Sequence, residues 1–553
     1  MGAIALVASL NAAGDLLAVA AGLGSGDASI GSVAVTVGLI AAFAGGLLAV
    51  ARLGDGPMMR RRVAIAIGFG VLLAVRLAVA SRYDGVSDGE IREYQALSAG
   101  VLDGDCCFGD RPMGYPMVLA LAIRLLGAGQ LPVVALNVLF AVASGALVLS
   151  LSRRLYGARV GAVALFLYAC WPAGALMVVT TLPHTAYELM ILLAAWSALA
   201  MAPGWRGSAV IGLVLGLSQY LRPTTSILIP VYLVARLWPG ATVRRALIGT
   251  LIPMVGTFLL VLLPVVDHNL RTYGDASIST SSFGGLGMYV GTDQQSGGRW
   301  SEENYAEVLA LPGATLWAKS TEAAELAQAR IKADPVGFAL LALRKQGTLW
   351  GTERYGVQYG IERELADAPA RPAATAPLVT SGLFYAVVMA AAAAGVVLLR
   401  RRPDGLLLLA VGMIAVLTAA HAFLEVRDRY HSYVVPLLLP LASVAILAAL
   451  GRVGWLPSRG GMPSDEAAPG DTSFQPGAVA SAVHVDAVAA RGVPLASGIL
   501  LASGSGSVRG RARQLMMGNR LSMSDRAAAR APQRWSEAVT GRTTRAAISP
   551  EGC

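Results

Sequence analysis

The sequence predicts an all-α polytopic membrane protein with about twelve transmembrane helices, in a range of about eleven to thirteen, and two large extracytoplasmic loops. Three observations lead there. Hydrophobic residues make up 55% of the 553 and charged residues only 14%, against roughly 25% charge in an ordinary soluble domain. Mean hydropathy is +0.60. The apolar residues also gather into runs of about 20, the length that crosses a bilayer as helix. A soluble chain could not hide so much apolar surface, and the same composition excludes disordered, collagenous and disulfide-scaffold classes. Four cysteines, Cys106, Cys107, Cys170 and Cys553, are too few and too badly spaced for a zinc site or a disulfide framework.

Taken in order, the runs lie at 2–24, 30–51, 63–81, 131–151, 160–181 and 184–202, then at 246–266, 378–399, 405–423 and 434–451. The stretch 208–240 reads as two short spans hinged at Arg222-Pro223, because proline breaks a helix and restricts the residue before it. Asn11 and Asp15 make the first run the weakest. The first basic residue is Arg52, so the basic start of a cleavable secretory signal is not evident. Residues 114–129 are apolar but short and carry Arg124, which suits a helix lying at the interface.

Basic residues orient the spans, since cytoplasmic loops are enriched in them. Arg60-Arg61-Arg62, Arg153-Arg154-Arg159, Arg236 with Arg244-Arg245, and Arg400-Arg401-Arg402 should be cytoplasmic. The loop 82–113 carries seven acids and three arginines and should be outside, as should 267–376. Alternation then gives twelve crossings with both termini inside, provided 114–129 and 336–350 do not cross. Loops this long are usually functional or disordered. The net charge of +10 marks cytoplasmic loops rather than nucleic-acid binding. A transmembrane domain over 1–453 precedes a tail, 454–553, rich in Gly, Ser, Pro and Ala, with nine arginines against three acids after residue 505. That tail is expected to be disordered, cytoplasmic and in contact with anionic lipid.

The acidic loop is the first place where chemistry gathers. Asp84, Asp88, Glu90 and Glu93 lie within ten residues, followed by Tyr94, a stretch rich in Ala, Leu and Gly, and Arg111-Pro112-Met113-Gly114-Tyr115-Pro116. Carboxylates just outside a span can act as a general base, bind a metal, or stay as solvated charge. An arginine there can grip a phosphate or snorkel.

An acid, a tyrosine, an Ala/Leu-rich half-helix and then Arg-Pro-x-x-Tyr-Pro resemble the first outer loop of the GT-C superfamily, nearest to the bacterial protein-mannosyltransferase-like and aminoarabinose-transferase-like enzymes. Further motifs follow in family order: Arg154-Leu155-Tyr156-Gly157, Leu221-Arg222-Pro223, the His268-Asn269 segment with Ser279-Thr280 and Gly284-Gly285-Leu286, and Arg429-Tyr430-His431 with Pro436. The resemblance covers about residues 60–455.

It implies an inverting transfer of a sugar from a polyprenyl-phosphate carrier to a lipid, polysaccharide or protein acceptor, at the outer face of the cytoplasmic membrane. No cofactor is certain, and a divalent metal is left open. Inversion needs a base on the acceptor hydroxyl and cations for the leaving phosphate. The family's acid, four residues before the aromatic, points to Glu90, whereas the Ser-Asp-Gly context favours Asp88; Asp84 and Glu93 stay open. Arg111, Arg222 and Arg429 are the phosphate candidates, and Tyr94, Tyr115, His184, Glu188 and Asn269 are the substrate-binding ones. Two departures stand out: Met113 replaces a family proline, and His184, with Glu188 one turn later, stands where relatives place a second acid. The competing reading is a transporter or flippase of lipid-linked sugars, which would favour interrupted spans in two similar halves. No such repeat is found.

Overall fold

The computed structural model describes residues 30–83, 89–105, 108–238, 240, 242–357, 372–401 and 403–455, with a few positions before residue 12. Asp84, Asp88, Cys106, Cys107 and the 454–553 tail beyond Trp455 lie outside the described residues, as does most of the run at 2–24. Every regular element among the described residues is helical.

Each apolar run after the first has a helix on it. Among the described residues, six helices are long and apolar enough to cross a membrane: Met58–Arg82, Gln130–Tyr156, Leu247–Tyr273, Pro377–Leu399, Gly405–Phe423 and Asp428–Arg452. A seventh is counted if Ala158–Cys170 and Pro172–Val179, bent by 57°, form one span. The expected twelve is not reached by length alone, and the shortfall has causes. Pro172 breaks the helix begun at Ala158, and His184–Ala200 has 17 residues. The stretch 208–240 divides at its Arg-Pro hinge into Trp205–Gln219 and a 3-10 turn, Thr225–Leu228, leading into Ile229–Leu237.

Helices pack closely where side chains are smallest. A Cβ on Gly212 would collide with the carbonyl of Met254, and one on Gly395 with that of Leu441, so these glycines let backbones touch as small residues do within membranes. Helix Ala158–Cys170 is buried along almost its whole length. Its neighbours turn large apolar side chains outward, such as Leu77 and Leu139, as lipid-facing surfaces require.

The two ends of these helices differ. At one end Arg159 pairs with Asp55 at 3.1 Å, the Tyr156 hydroxyl donates to Asp404, and Arg236 donates to the carbonyls of Ala198 and Met201. The other end carries a small helical lobe: Gly284–Gly291, Glu302–Leu309, Leu316–Ala333 and Pro335–Trp350. Ser301, Thr315 and Asp334 cap three of these helices through side-chain oxygens. Leu286, Tyr289, Val290, Val308 and Ala323 form the lobe's own core. Lys345 clamps the lobe to the bundle, its Nζ donating to the carbonyls of Gly291 and Ala422. The amides of Glu425 and Val426 donate to Gly287 and Gly298.

Candidate active site

Between the lobe and the helix ends lies a cavity of about 590 Å³. Local sequence explains how its walls converge. Gly114 donates its amide to the carbonyl of Tyr220, and a Cβ there would come within 2.7 Å of that oxygen. The Arg111-Pro112 turn is thereby held against the Arg222-Pro223 hinge. Gln219 fixes the hinge from inside: its Nε2 donates to Pro223, its Oε1 accepts from Ser226, and its carbonyl accepts from Thr280. Sequence reading passed over Gln219, since a lone glutamine at a helix end carries no distinctive signal.

Glu90, in the first turn of helix Gly89–Asp103, lines the cavity. A helix N-terminus favours negative charge. Arg429 faces it, with Nη2 2.5 Å from Glu90 Oε2, and also donates to the Tyr355 hydroxyl. Burial pushes the Glu90 carboxyl up, but the Arg429 and Arg111 guanidiniums more than offset this and hold it at about 2. Burial, with Glu90 nearby, pushes the Tyr94 hydroxyl up to about 12. Arg111 pairs with Glu93 at 2.9 Å and lies over the Phe283 ring, 4.0 Å from its centroid.

Arg222 lines a further wall and stands 2.8 Å from His184 Nε2. Because arginine keeps its proton, it donates and His184 accepts as the neutral ring. Tyr187, Tyr430 and Tyr433 surround that guanidinium, with centroids at 5.3 to 5.8 Å. Arg222 Nε and His184 Nδ1 are buried without a partner. Arg427 lines the cavity as well, one position before Asp428 and two before Arg429, but outside the quoted motif.

The structure thus gathers Glu90, Tyr94, Arg111, His184, Arg222 and Arg429 around one cavity. Three candidates do not line it. Tyr115 is fully buried, its hydroxyl 3.4 Å from Asn137 Oδ1. Glu188 accepts from the Tyr168 hydroxyl at 2.6 Å inside the bundle. Asn269 donates to the carbonyls of Ser277 and Ser279, shaping the start of the long loop. All three are polar residues near span ends, and their partners are distant in sequence or lie on irregular backbone, so sequence did not reveal the pairing. Phe283, Trp300, Glu302, Tyr305, His421 and Glu425 line the cavity without having been singled out. Among the described residues no three His, Cys, Asp or Glu side chains converge to hold a metal ion.

Residues 110–268 match the family model of dolichyl-phosphate-mannose-protein mannosyltransferases. A crystal structure of ArnT from Cupriavidus metallidurans bound to undecaprenyl phosphate is 12% identical, with a TM-score of 0.34, over 70% of this chain and 79% of that one. No curated protein matches the chain significantly. The matched stretch carries Arg111, His184 and Arg222, and in it the chain is similar to that mannosyltransferase family.

Proposed function

We propose that the chain is a glycosyltransferase that moves a sugar, with inversion, from a polyprenyl-phosphate carrier to an acceptor at the outer face of the cytoplasmic membrane. One observation carries this reading: a single cavity collects the carboxylate Glu90 with Arg111, Arg222, Arg427 and Arg429. A leaving phosphate gathers negative charge as its bond to the anomeric carbon breaks, and preorganised guanidiniums stabilise that charge most in a site shielded from water. The acceptor oxygen bonds to the anomeric carbon as its proton passes to Glu90, and the carrier departs as polyprenyl phosphate.

At about 2, Glu90 is ionised but weakly basic. The arginines that hold it there are also the groups a phosphate would draw away. Donor binding therefore raises Glu90's proton affinity when the acceptor needs a base. Asp88 lies outside the described residues and is the rival for that role. The arginine-rich end of the bundle is assigned to the cytoplasm by the positive-inside rule, which puts the cavity outside.

The test is transfer by full-length protein in proteoliposomes, given a panel of polyprenyl-phosphate sugars and a membrane-extract acceptor pool. Wild type should release one sugar from its carrier, and Arg111→Ala should raise the donor KM by roughly tenfold or more, as expected for a lost charge-assisted contact. Arg111→Lys should recover part of that, keeping the charge without the planar fork. Unchanged donor kinetics in Arg111→Ala would remove it from the phosphate site.

A further inference from the structure

We propose that the lobe's wall of the cavity, built by Phe283, Trp300, Glu302 and Tyr305, is a subsite for a saccharide ring. The inference rests on the transferase reading above and names which wall takes the sugar. The lining is asymmetric. Arginines come from the helix ends and the segment around residue 427, whereas the lining residues between 281 and 305 include no cation.

That stretch instead presents aromatic rings; one face of Phe283 is taken by the Arg111 guanidinium, 4.0 Å from its centroid, so Trp300 and Tyr305 carry the open faces. Trp300 and Tyr305 have centroids 5.2 Å apart, and Tyr305 lies 6.4 Å from Phe283 at an interplanar angle of 16°. All three are half-buried, so part of each surface is open. The Trp300 Nε1–H donates to Glu302 Oε1 at 3.0 Å, which ties a carboxylate to the ring beside it. The platform is held in place from behind: Ser301 accepts from the Asn304 amide, and Asn304 donates to Asp293. Gly284 and Gly287 also line this wall, and a Cβ on either would meet nothing within 4 Å. They leave room beside the rings.

A second carboxylate stands at the seam. Glu425 is positioned by the hydrogen bond its backbone N–H donates to the carbonyl of Gly287, and its Oε1 accepts from the Tyr430 hydroxyl. Its Oε2 is shielded from solvent and accepts no hydrogen bond from the protein. Aromatic rings with adjoining carboxylates suit a ligand that has apolar C–H faces and hydroxyl edges, since carboxylates only accept hydrogen bonds. A phosphate would be repelled by Glu302 and Glu425. An isoprenoid chain could use the rings but has no hydrogen to offer the carboxylates. A pyranose uses both.

The sugar could be the donor's or that of a saccharide acceptor, and two arms separate them. Full-length wild type, Trp300→Ala, Trp300→Phe and Glu302→Gln are compared in nanodiscs. In the first arm, affinity is measured for a polyprenyl-phosphate sugar and for bare polyprenyl phosphate. In the second, binding of methyl glycopyranosides is read by saturation-transfer NMR. Trp300→Ala should weaken the sugar-bearing carrier or the glycosides by about fivefold or more, the scale of one aromatic contact. It should leave bare carrier unchanged, and Trp300→Phe should recover most of the loss. A donor-arm effect assigns the donor sugar, and a glycoside-arm effect assigns a saccharide acceptor. If wild type ignores both carriers but binds glycosides through Trp300, the subsite stands and the carrier reading falls. Equal losses for sugar-bearing and bare carrier, or no loss in either arm, would overturn the subsite.

Discussion

Arginine does different work at the two ends of the helical bundle. At one end, Arg236 donates to Ala198, Met201 and Ala202, the last carbonyls around helix His184–Ala200, where a cation closes a helix that has run out of partners. Arg159 is likewise taken by Asp55 and the carbonyl of Ala51. At the other end, Arg222 faces a neutral imidazole and three aromatic rings, and Arg429 faces a carboxylate on a cavity wall. The difference is in the partners and not in the residue. An arginine that satisfies carbonyls supports the fold; one held beside a cavity lines it, and in the proposed reading it meets the ligand.

Among the arginines, breaking the pair at the cavity should have the largest effect. Arg429→Ala removes the group facing Glu90 and leaves that carboxylate without its main counter-charge, a loss of the kind that costs about 2–5 kcal/mol. The expected fall in kcat/KM is roughly 10²–10³-fold. Steady-state transfer kinetics read it, and a loss under threefold would place Arg429 with the structural arginines.

The opposite end should respond in the opposite currency. Arg236→Ala leaves helix-end carbonyls unsatisfied and should lower stability by about 1–3 kcal/mol, seen as a lower Tm in detergent. Per folded molecule, kcat and KM should stay at wild-type values. A kinetic defect with unchanged Tm would erase the distinction between the ends.

Two glutamates, one on the cavity wall and one buried, sharpen the same contrast with the smallest effect. Glu90 faces guanidiniums across a cavity, whereas Glu188 accepts from Tyr168 within the bundle. Glu188→Gln keeps an oxygen for that hydroxyl, so transfer should change by no more than about twofold, within the range of neutral substitutions. A large loss measured in the same transfer assay would return Glu188 to the list of substrate contacts.

Much of the fold was legible because its signals are long. A 20-residue apolar window is hard to mistake, and the Arg222-Pro223 break fell where proline cannot continue a helix. The count was harder, since Pro172 bends one span, the two spans flanking the hinge are short, and most of the 2–24 run lies outside the described residues. Within the site, Glu90, Arg111, Arg222 and Arg429 could be read because each sits in a short motif beside a span end, and the motifs keep an order. Trp300, Glu302 and Glu425 could not. They lie on an irregular wall whose position depends on the Lys345 clamp and the backbone bonds of residues 425 and 426, contacts no periodicity encodes. Tyr115, Glu188 and Asn269 looked alike in sequence to the residues that line the cavity; only their partners set them apart.

The most direct test is single-turnover transfer in proteoliposomes, comparing wild type, Glu90→Gln and Asp88→Asn across pH. General-base catalysis contributes about 10²–10⁴-fold, so Glu90→Gln should slow transfer by that factor per folded molecule, while Asp88→Asn should cost far less. Glu90 is held at about 2, below its ordinary 4.5. Its share of stability is therefore present above about 4.5 and lost as pH falls toward 2, and Glu90→Gln should lack that acid leg. A full-rate Glu90→Gln enzyme, with Asp88→Asn inactive, would move the base to Asp88; full rates in both, and in the double variant, would contradict a catalytic role for the loop.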